Sequence, residues 1–246
     1  MGYIKATYDY TDETGRLLSQ TVRYEPKDFR QRRPDPDQPG KWLHNLDGVR
    51  RVLYRLPAVL KERQLILVVE GEKDVHTAEK LGFVATTAQM GAGKWRPEYT
   101  ASLAGVDTVV LMPDNDEPGR KDVAQKAAAL VGQVKHVKVV TLPDVPEKGD
   151  LSDWYAQAKD KRALTPRLLQ MIADTPDYQP DPLPLDQPLE TTLSNGKPFE
   201  PELRKSGTGT GPLQDFLDLL QDVTPTKNGY QARCPAHDDQ KASLSI

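Results

Sequence analysis

The stretch QLILVVEGEKD, Gln64 to Asp74, decides how the rest of the chain reads. Leu65, Ile66, Leu67, Val68 and Val69 form an unbroken apolar run that stops at Glu70-Gly71, with Asp74 close behind. A continuous run of this kind, closed by a glycine, predicts a strand buried on both faces, as in parallel sheets. Its charge sits at the carboxyl end, where open α/β sheets form their ligand crevices. A second apolar run, Val106 to Met112, ends in Asp114-Asn115-Asp116. Two buried strands that both finish in carboxylates predict one acidic site at one sheet edge.

The remaining pattern supports an α/β fold. Helical spacing is expected over Leu46–Leu60, 72–81, 97–103, 119–131, 152–159 and 165–173, and strands over 84–88 and 137–142. Alternating strands and helices at this spacing imply right-handed βαβ crossovers and a mostly parallel sheet. Ahead of this body, residues 3–25 alternate like a β-hairpin around Thr11-Asp12-Glu13-Thr14-Gly15. The prolines of PKDFRQRRPDPDQPGKW, residues 26–42, argue against a regular element there, so a loop is expected. That loop interleaves Phe29 and Trp42 with Lys27, Arg30, Arg32, Arg33 and Lys41, a composition suited to stacking on bases and pairing with phosphates. The expected divisions are 1–60 for the N-terminal region, 61–174 for the α/β domain, 175–212 for a Pro/Gly-rich linker, and 213–246 for a final helix and a short cysteine-containing segment.

The chain has 246 residues, 37% of them hydrophobic and 28% charged, with a formal net charge of -3. The basic residues Arg23, Lys27, Arg30, Arg32, Arg33, Lys41, Arg50, Arg51 and Arg55 crowd the first quarter, while acids are denser afterwards. This asymmetry is compatible with phosphate contacts on one surface and metal ligands on another. No apolar run approaches the roughly 20 residues of a membrane span, and the N-terminus lacks the apolar core of a signal peptide. A single cysteine, Cys234, permits no internal disulfide framework and fits a reducing, cytoplasmic setting.

Glu70, Asp74, Asp114, Asp116, Asp150 and Asp153 are all expected at or just past strand ends. Carboxylates gathered without evident cationic partners repel one another unless a divalent cation joins them, and Mg²⁺ prefers such hard oxygen ligands. Lys73, Lys94, Arg96 and Arg120 are the candidates to hold phosphates, with Arg30, Arg32, Arg33 and Lys41 along a template strand.

Glu70-Gly71 with Asp74, and then Asp114-Asn115-Asp116-Glu117-Pro118-Gly119, resemble the TOPRIM domain of bacterial-type DNA primases, type IA and II topoisomerases and some nucleases. KGDLSDWY, residues 148–155, resembles the later primase acidic motif; Asp150 aligns, while Asp153 is offset by one. The segment before residue 60 resembles the region preceding TOPRIM in phage and plasmid primase-like proteins. The resemblance implies Glu70 as acid/base residue, and Asp114 and Asp116 as Mg²⁺ (or Mn²⁺) ligands, with Glu70, Asp74 and Asp150 completing the acidic set. It implies a nucleotidyltransferase that makes RNA primers from ribonucleoside triphosphates on single-stranded DNA, partnered by a replicative helicase. A TOPRIM nuclease and a catalytically idle nucleic-acid-binding module are the alternatives. Cys234-Pro235-Ala236-His237 resembles the first half of a CHC2 zinc module, with Cys234 and His237 as Zn²⁺ ligands. The chain carries no second cysteine to close that site.

Overall fold

The computed structural model describes residues 2–91 and 93–180, together with the backbone of residues 221–226, 229–233 and 244–245. Two compact units result, Met1–Leu183 and Pro184–Ile246. In the first, strands β5 (Leu65–Val68), β6 (Val84–Thr86), β7 (Thr108–Leu111) and β8 (His136–Val139) form a wholly parallel sheet in the order β6-β5-β7-β8. Helix α1 (Leu56–Lys61) precedes them, and α2 (Glu72–Lys80), α3 (Pro97–Leu103), α4 (Glu117–Leu130), α5 (Leu151–Gln157) and α6 (Leu164–Asp174) run between and after them.

The unbroken apolar run of β5 has the expected cause. Leu67 and Val69 pack on one side with Val75, Ala78, Trp154 and Leu168, while Ile66 and Val68 pack on the other with Val59, Leu103, Val123 and Ala127. Strand side chains alternate between faces, so a strand covered on both faces needs an apolar residue at every position. The helix boundaries follow local chemistry. Glu72 and Asp74 lie in the first turn of α2, favourable for its dipole, and Gly82 at φ +86° closes it.

Strands β1 (Tyr3–Thr11), β2 (Leu17–Glu25), β3 (Asp28–Pro34) and β4 (Trp42–Leu43) form an antiparallel sheet in sequence order. This sheet seats on the α/β body through aromatic rings. Tyr10, fully buried, donates its hydroxyl proton to Glu72 Oε1 at 2.8 Å, and its ring stands 5.3 Å from that of Tyr54. Tyr54 Oη lies 2.8 Å from His76 Nε2, so two hydroxyls reach the same helix, α2.

Two sequence expectations are corrected. Residues 26–42 are not a loop throughout: β3 occupies Asp28–Pro34 and carries Phe29, Arg30, Arg32 and Arg33. Its prolines bracket the strand instead of interrupting it, since Pro26 precedes it and Pro34 is its last residue. Helix is also absent before Leu56 in the span 46–60. Val52 and Tyr54 face one core and Leu53 the other, a period of two, and Tyr54 N–H donates to Thr87 O at 3.1 Å. Valines and leucines at 49, 52, 53 and 56 fit both periods, and extended pairing beside β6 decided between them.

In the second unit, β9 (Gln221–Thr226), β10 (Gly229–Arg233) and β11 (Leu244–Ser245) make a small antiparallel sheet in the order β11-β10-β9. The expected Leu213–Leu220 helix, most of the Pro/Gly-rich segment, and the Cys234/His237 pair lie outside the described residues. Among the described residues no helix is long and apolar enough to cross a membrane.

Tyr10 is expected to couple the two sheets of the first unit. Tyr10→Phe, which leaves Glu72 without its donor, should lower unfolding free energy by about 1 kcal/mol. Tyr10→Ala should remove about 3–5 kcal/mol, as deletion of a fully buried large side chain does. Urea unfolding followed by tryptophan fluorescence checks both, and an independent N-terminal sheet would leave the main transition unmoved.

Candidate active site

Val68 and Leu111 are paired at the carboxyl ends of β5 and β7, which brings the next residues of both strands to one edge. Glu70 and Asp114 are half-buried there, and among the described residues neither carboxylate has a side-chain hydrogen bond. Burial pushes Glu70 above the usual carboxylate range; the Lys126 charge pulls it down, and Asp116, Asp122 and Asp150 push it further up. Burial does the same to Asp114, and Glu70, Asp74, Asp150 and Asp116 add their repulsion, taking it to about 8. These two acids are short of positive charge and of donors.

The other expected acids have protein partners. Asp116 is the N-cap of α4, its Oδ1 accepting from Gly119 N at 2.7 Å. A Cβ on Gly119 would stand 2.9 Å from the Asp114 carbonyl oxygen, so the turn between the two acids needs glycine at that position. Asp150 N-caps α5 in a reciprocal box with Asp153, whose N–H donates to Asp150 Oδ1 at 2.9 Å. This gives Asp153 a capping role. The second Asp150 oxygen accepts from Lys73 Nζ at 2.5 Å. Burial alone would raise Asp150, but the Lys73 hydrogen bond and its charge bring it below the ordinary value.

Asp74, 4% exposed, accepts through Oδ1 from both Ser152 N (3.0 Å) and Ser152 Oγ (2.6 Å), which joins α2 to the first turn of α5. Burial and the Asp150 charge push Asp74 up to about 6 against those hydrogen bonds. Asn115 completes the framework. Its N–H donates to Gly149 O at 2.9 Å and its amide to Val145 O at 2.9 Å, tying the Asp114–Asp116 turn to the loop before Asp150. Glu70, Asp74, Asp114 and Asp150 line one cleft. Among the described residues no three His, Cys, Asp or Glu side chains stand in position to hold a single metal ion.

The cleft measures about 340 Å³, and its opposite wall comes from the N-terminal sheet. Thr21 pairs with Gln31 and Arg23 with Phe29 across β2 and β3, so all four side chains share one face, and all four line the cleft with Lys27. Arg30 and Arg32 alternate onto the other face, against Tyr24 (5.1 Å) and Trp42 (4.0 Å). Arg33 Nε donates to Asn45 and Lys41 to Gln38. Of the expected phosphate-binding residues only Lys73 lines the cleft; Lys94, Arg96 and Arg120 are exposed outside it. Arg23, counted in the basic first quarter but given no role, and Lys27, expected among the phosphate-pairing cations of residues 26–42, are the cations that face the acids. The Arg23 Nε–H is buried without a partner among the described residues.

One buried pair behind the acidic edge has no counterpart in the sequence reading. Lys126 and Asp122, one turn apart on α4, form an ion pair with side chains 2% and 3% exposed. Asp122 Oδ1 also accepts from Gly93 N at 2.6 Å, which fastens the loop after β6. The signal was available: two charges four residues apart among Val123, Ala127 and Leu130, on the face that packs inward.

Residues 65–142 match the Toprim domain family. The DNA primase of Halalkalibacterium halodurans is 28% identical over 135 residues, covering 55% of this chain and 21% of the relative. The chain therefore spans about a fifth of the length of the curated relatives it matches. Among solved structures, the E. coli primase catalytic core superposes with a TM-score of 0.50 at 17% identity, over 70% of this chain and 52% of that one. The DnaG primase catalytic domain bound to ssDNA gives 0.50 at 20% identity, over 70% and 53%. At these identities the likeness to the solved structures is one of fold.

The raised carboxylates set a pH dependence. A group whose folded pKa lies above its unfolded value stabilises the fold below the unfolded value and loses that contribution as pH rises through the folded one. With unfolded aspartates at about 4, Asp74 at about 6 and Asp114 at about 8, thermal stability in chelator should fall from roughly pH 4 up to pH 8. Asp114→Asn should match the wild type at about pH 4 and melt progressively higher than it up to about pH 8, as read by differential scanning calorimetry. Equal melting of the two at pH 8 would contradict this placement of Asp114.

Proposed function

With residues 65–142 a Toprim domain, we propose that the cleft performs metal-assisted nucleotidyl transfer, joining ribonucleoside triphosphates on a single-stranded DNA template as a primase does. One observation carries the reading. Two carboxylates without donors, Glu70 and Asp114, stand at adjacent strand ends, and across the same cleft stand two cations, Arg23 and Lys27. A substrate that is itself polyanionic and arrives with a divalent cation satisfies both walls.

The donor set suits a hard divalent cation: Asp114, half-buried, and the second oxygen of Asp116, two residues on, offer carboxylate oxygen with no hydrogen-bond partner among the described residues. Mg²⁺ bound there (or Mn²⁺) would neutralise charge on the phosphate oxygens and on the departing pyrophosphate. The chain's own residues supply the rest. Glu70 accepts the proton of the attacking 3′-hydroxyl; the new bond joins that oxygen to the α-phosphorus, and the α–β phosphoanhydride bond breaks. Arg23, Lys27 and Lys73 hold the phosphates against the acids, which orients the α-phosphate for attack. Asp74 and Asp150 keep α2 and α5 at fixed spacing beneath the site.

The exposed Lys94, Arg96 and Arg120, with Arg30, Arg32, Arg33 and Lys41, are assigned to phosphates of the strand, outside the cleft. A single-stranded template exists only where a duplex has been opened, so a replicative helicase is the partner that this activity implies. One relative in fold was solved with single-stranded DNA, which favours this class of ligand over a small metabolite.

Incubation of the chain with Mg²⁺, single-stranded DNA and labelled ribonucleotides should yield short RNA. Glu70→Gln and Asp114→Asn should each reduce the yield by at least ~10²-fold with retention of DNA binding. Shortening of the DNA in place of RNA synthesis would make the site a nuclease. Activity unchanged in both variants would remove the assignment altogether.

A further inference from the structure

Of the large apolar side chains exposed among the described residues, two line the cleft: Phe29 at 45% and Met90 at 55%. They come from different walls, Phe29 from β3 and Met90 from the loop after β6. A hydrogen bond fixes the spacing of those walls. Gln89, buried next to Met90, donates through Nε2 to Gln31 Oε1 at 2.9 Å and to Ser19 Oγ at 3.0 Å. Gln31 lies two residues beyond Phe29 on the same face of the same strand, about 7 Å along it. The two apolar side chains therefore line the cleft from walls that this hydrogen bond ties together.

Met90 is held there against its own preference. Its φ of 75° lies in the left-handed region, unusual for a residue with a long side chain. The turn continues through Gly91 and Gly93, also at positive φ, and ends where the buried Asp122 carboxylate takes the Gly93 N–H. Strain maintained by so buried an anchor points to a placement that serves binding. The surroundings state what is bound. Arg23 lines the same cleft with its guanidinium 5.8 Å from the Phe29 ring centroid, Lys27 lies on the same wall, and the acids face them. A ligand that meets cations, a metal-compatible acidic edge and an exposed aromatic–thioether pair within about 340 Å³ is both polyanionic and flat.

We infer that Phe29 and Met90 form the two sides of a subsite for the base of a nucleoside triphosphate, whose phosphates lie toward Arg23 and Lys27. This rests on the nucleotide reading of the cleft given above and adds where the base goes. An aromatic face and a polarisable thioether grip any base by stacking without reading its edges, so the subsite holds purines and pyrimidines alike.

Isothermal titration of the full chain in Mg²⁺ with ATP, and separately with inorganic tripolyphosphate, tests the subsite. Phe29→Ala and Met90→Ala should each weaken ATP about tenfold, the scale of one lost base stack, and leave tripolyphosphate within about twofold. Phe29→Trp should retain ATP affinity. Intact tripolyphosphate binding also shows that the variants are folded. Unchanged ATP affinity in both alanine variants, or equal losses of ATP and tripolyphosphate, would overturn the subsite while leaving the nucleotide reading in place. A loss confined to a single-stranded oligonucleotide would move these residues to the template and likewise overturn it. A wild-type chain that binds neither ATP nor tripolyphosphate would overturn the nucleotide reading itself, and the subsite with it.

Discussion

Repulsion between half-buried carboxylates is the constraint on which the arrangement depends. Glu70 and Asp114 sit at neighbouring strand ends, each raised by burial and by the charge of other acids. Charges this close and partly desolvated are tolerated only if the scaffold holds them by other means. The scaffold does so through the acids that are not free. Asp116 caps α4, Asp150 caps α5 and pairs with Lys73, and Asp74 takes both donors of Ser152. Three carboxylates thus serve as clamps, so that two can stand without partners at the cleft edge.

The second wall is brought in by chemistry of a different kind. The N-terminal sheet docks through Tyr10, whose ring is buried beside that of Tyr54 and whose hydroxyl donates to Glu72 on α2, the helix that follows Glu70 and Gly71. A tyrosine buried this way contributes apolar area and one directional bond, which sets position as well as affinity. The docking orients the face of β2 and β3 that bears Thr21, Arg23, Phe29 and Gln31 toward the acids. Charge separation across the cleft is thus built from two sheets with opposite biases, which the net charge of -3 conceals.

The parallel sheet was legible because its strands are apolar at every position, a pattern that amphipathic helices do not produce. The acidic edge was legible because strand ends and turns are short, so Glu70 and Asp114 could be assigned to one place. What escaped depended on pairing between distant segments. Phe29 and Arg30 are neighbours in sequence but point to opposite faces, and only the β2–β3 register reveals which faces the cleft. The RQRR cluster drew attention to Arg30, Arg32 and Arg33, while Arg23 and Lys27 took the facing positions. Nothing local showed that Ser152, 78 residues on, would donate to Asp74 Oδ1.

The Asp122–Lys126 pair carries the same reasoning below the surface. Burying both charges is expensive, and an apolar pair of similar volume would often hold the helix as well. Its retention makes sense through the third partner, Gly93 N, because only an acceptor at that depth can fix a loop that turns through three positive φ angles at 90, 91 and 93. Lys126 neutralises Asp122 there and also lies 5.6 Å from the Trp95 ring centroid, so both ends of the loop's second half meet α4. It is the cation that draws Glu70 downward as well. One helix, α4, therefore starts at the turn that follows Asp114, anchors the loop that carries Met90 and Gly91 to the cleft, and keeps a positive charge that acts on Glu70. A substitution deep in α4 would reach the cleft through that loop and that charge, with no contact to any ligand.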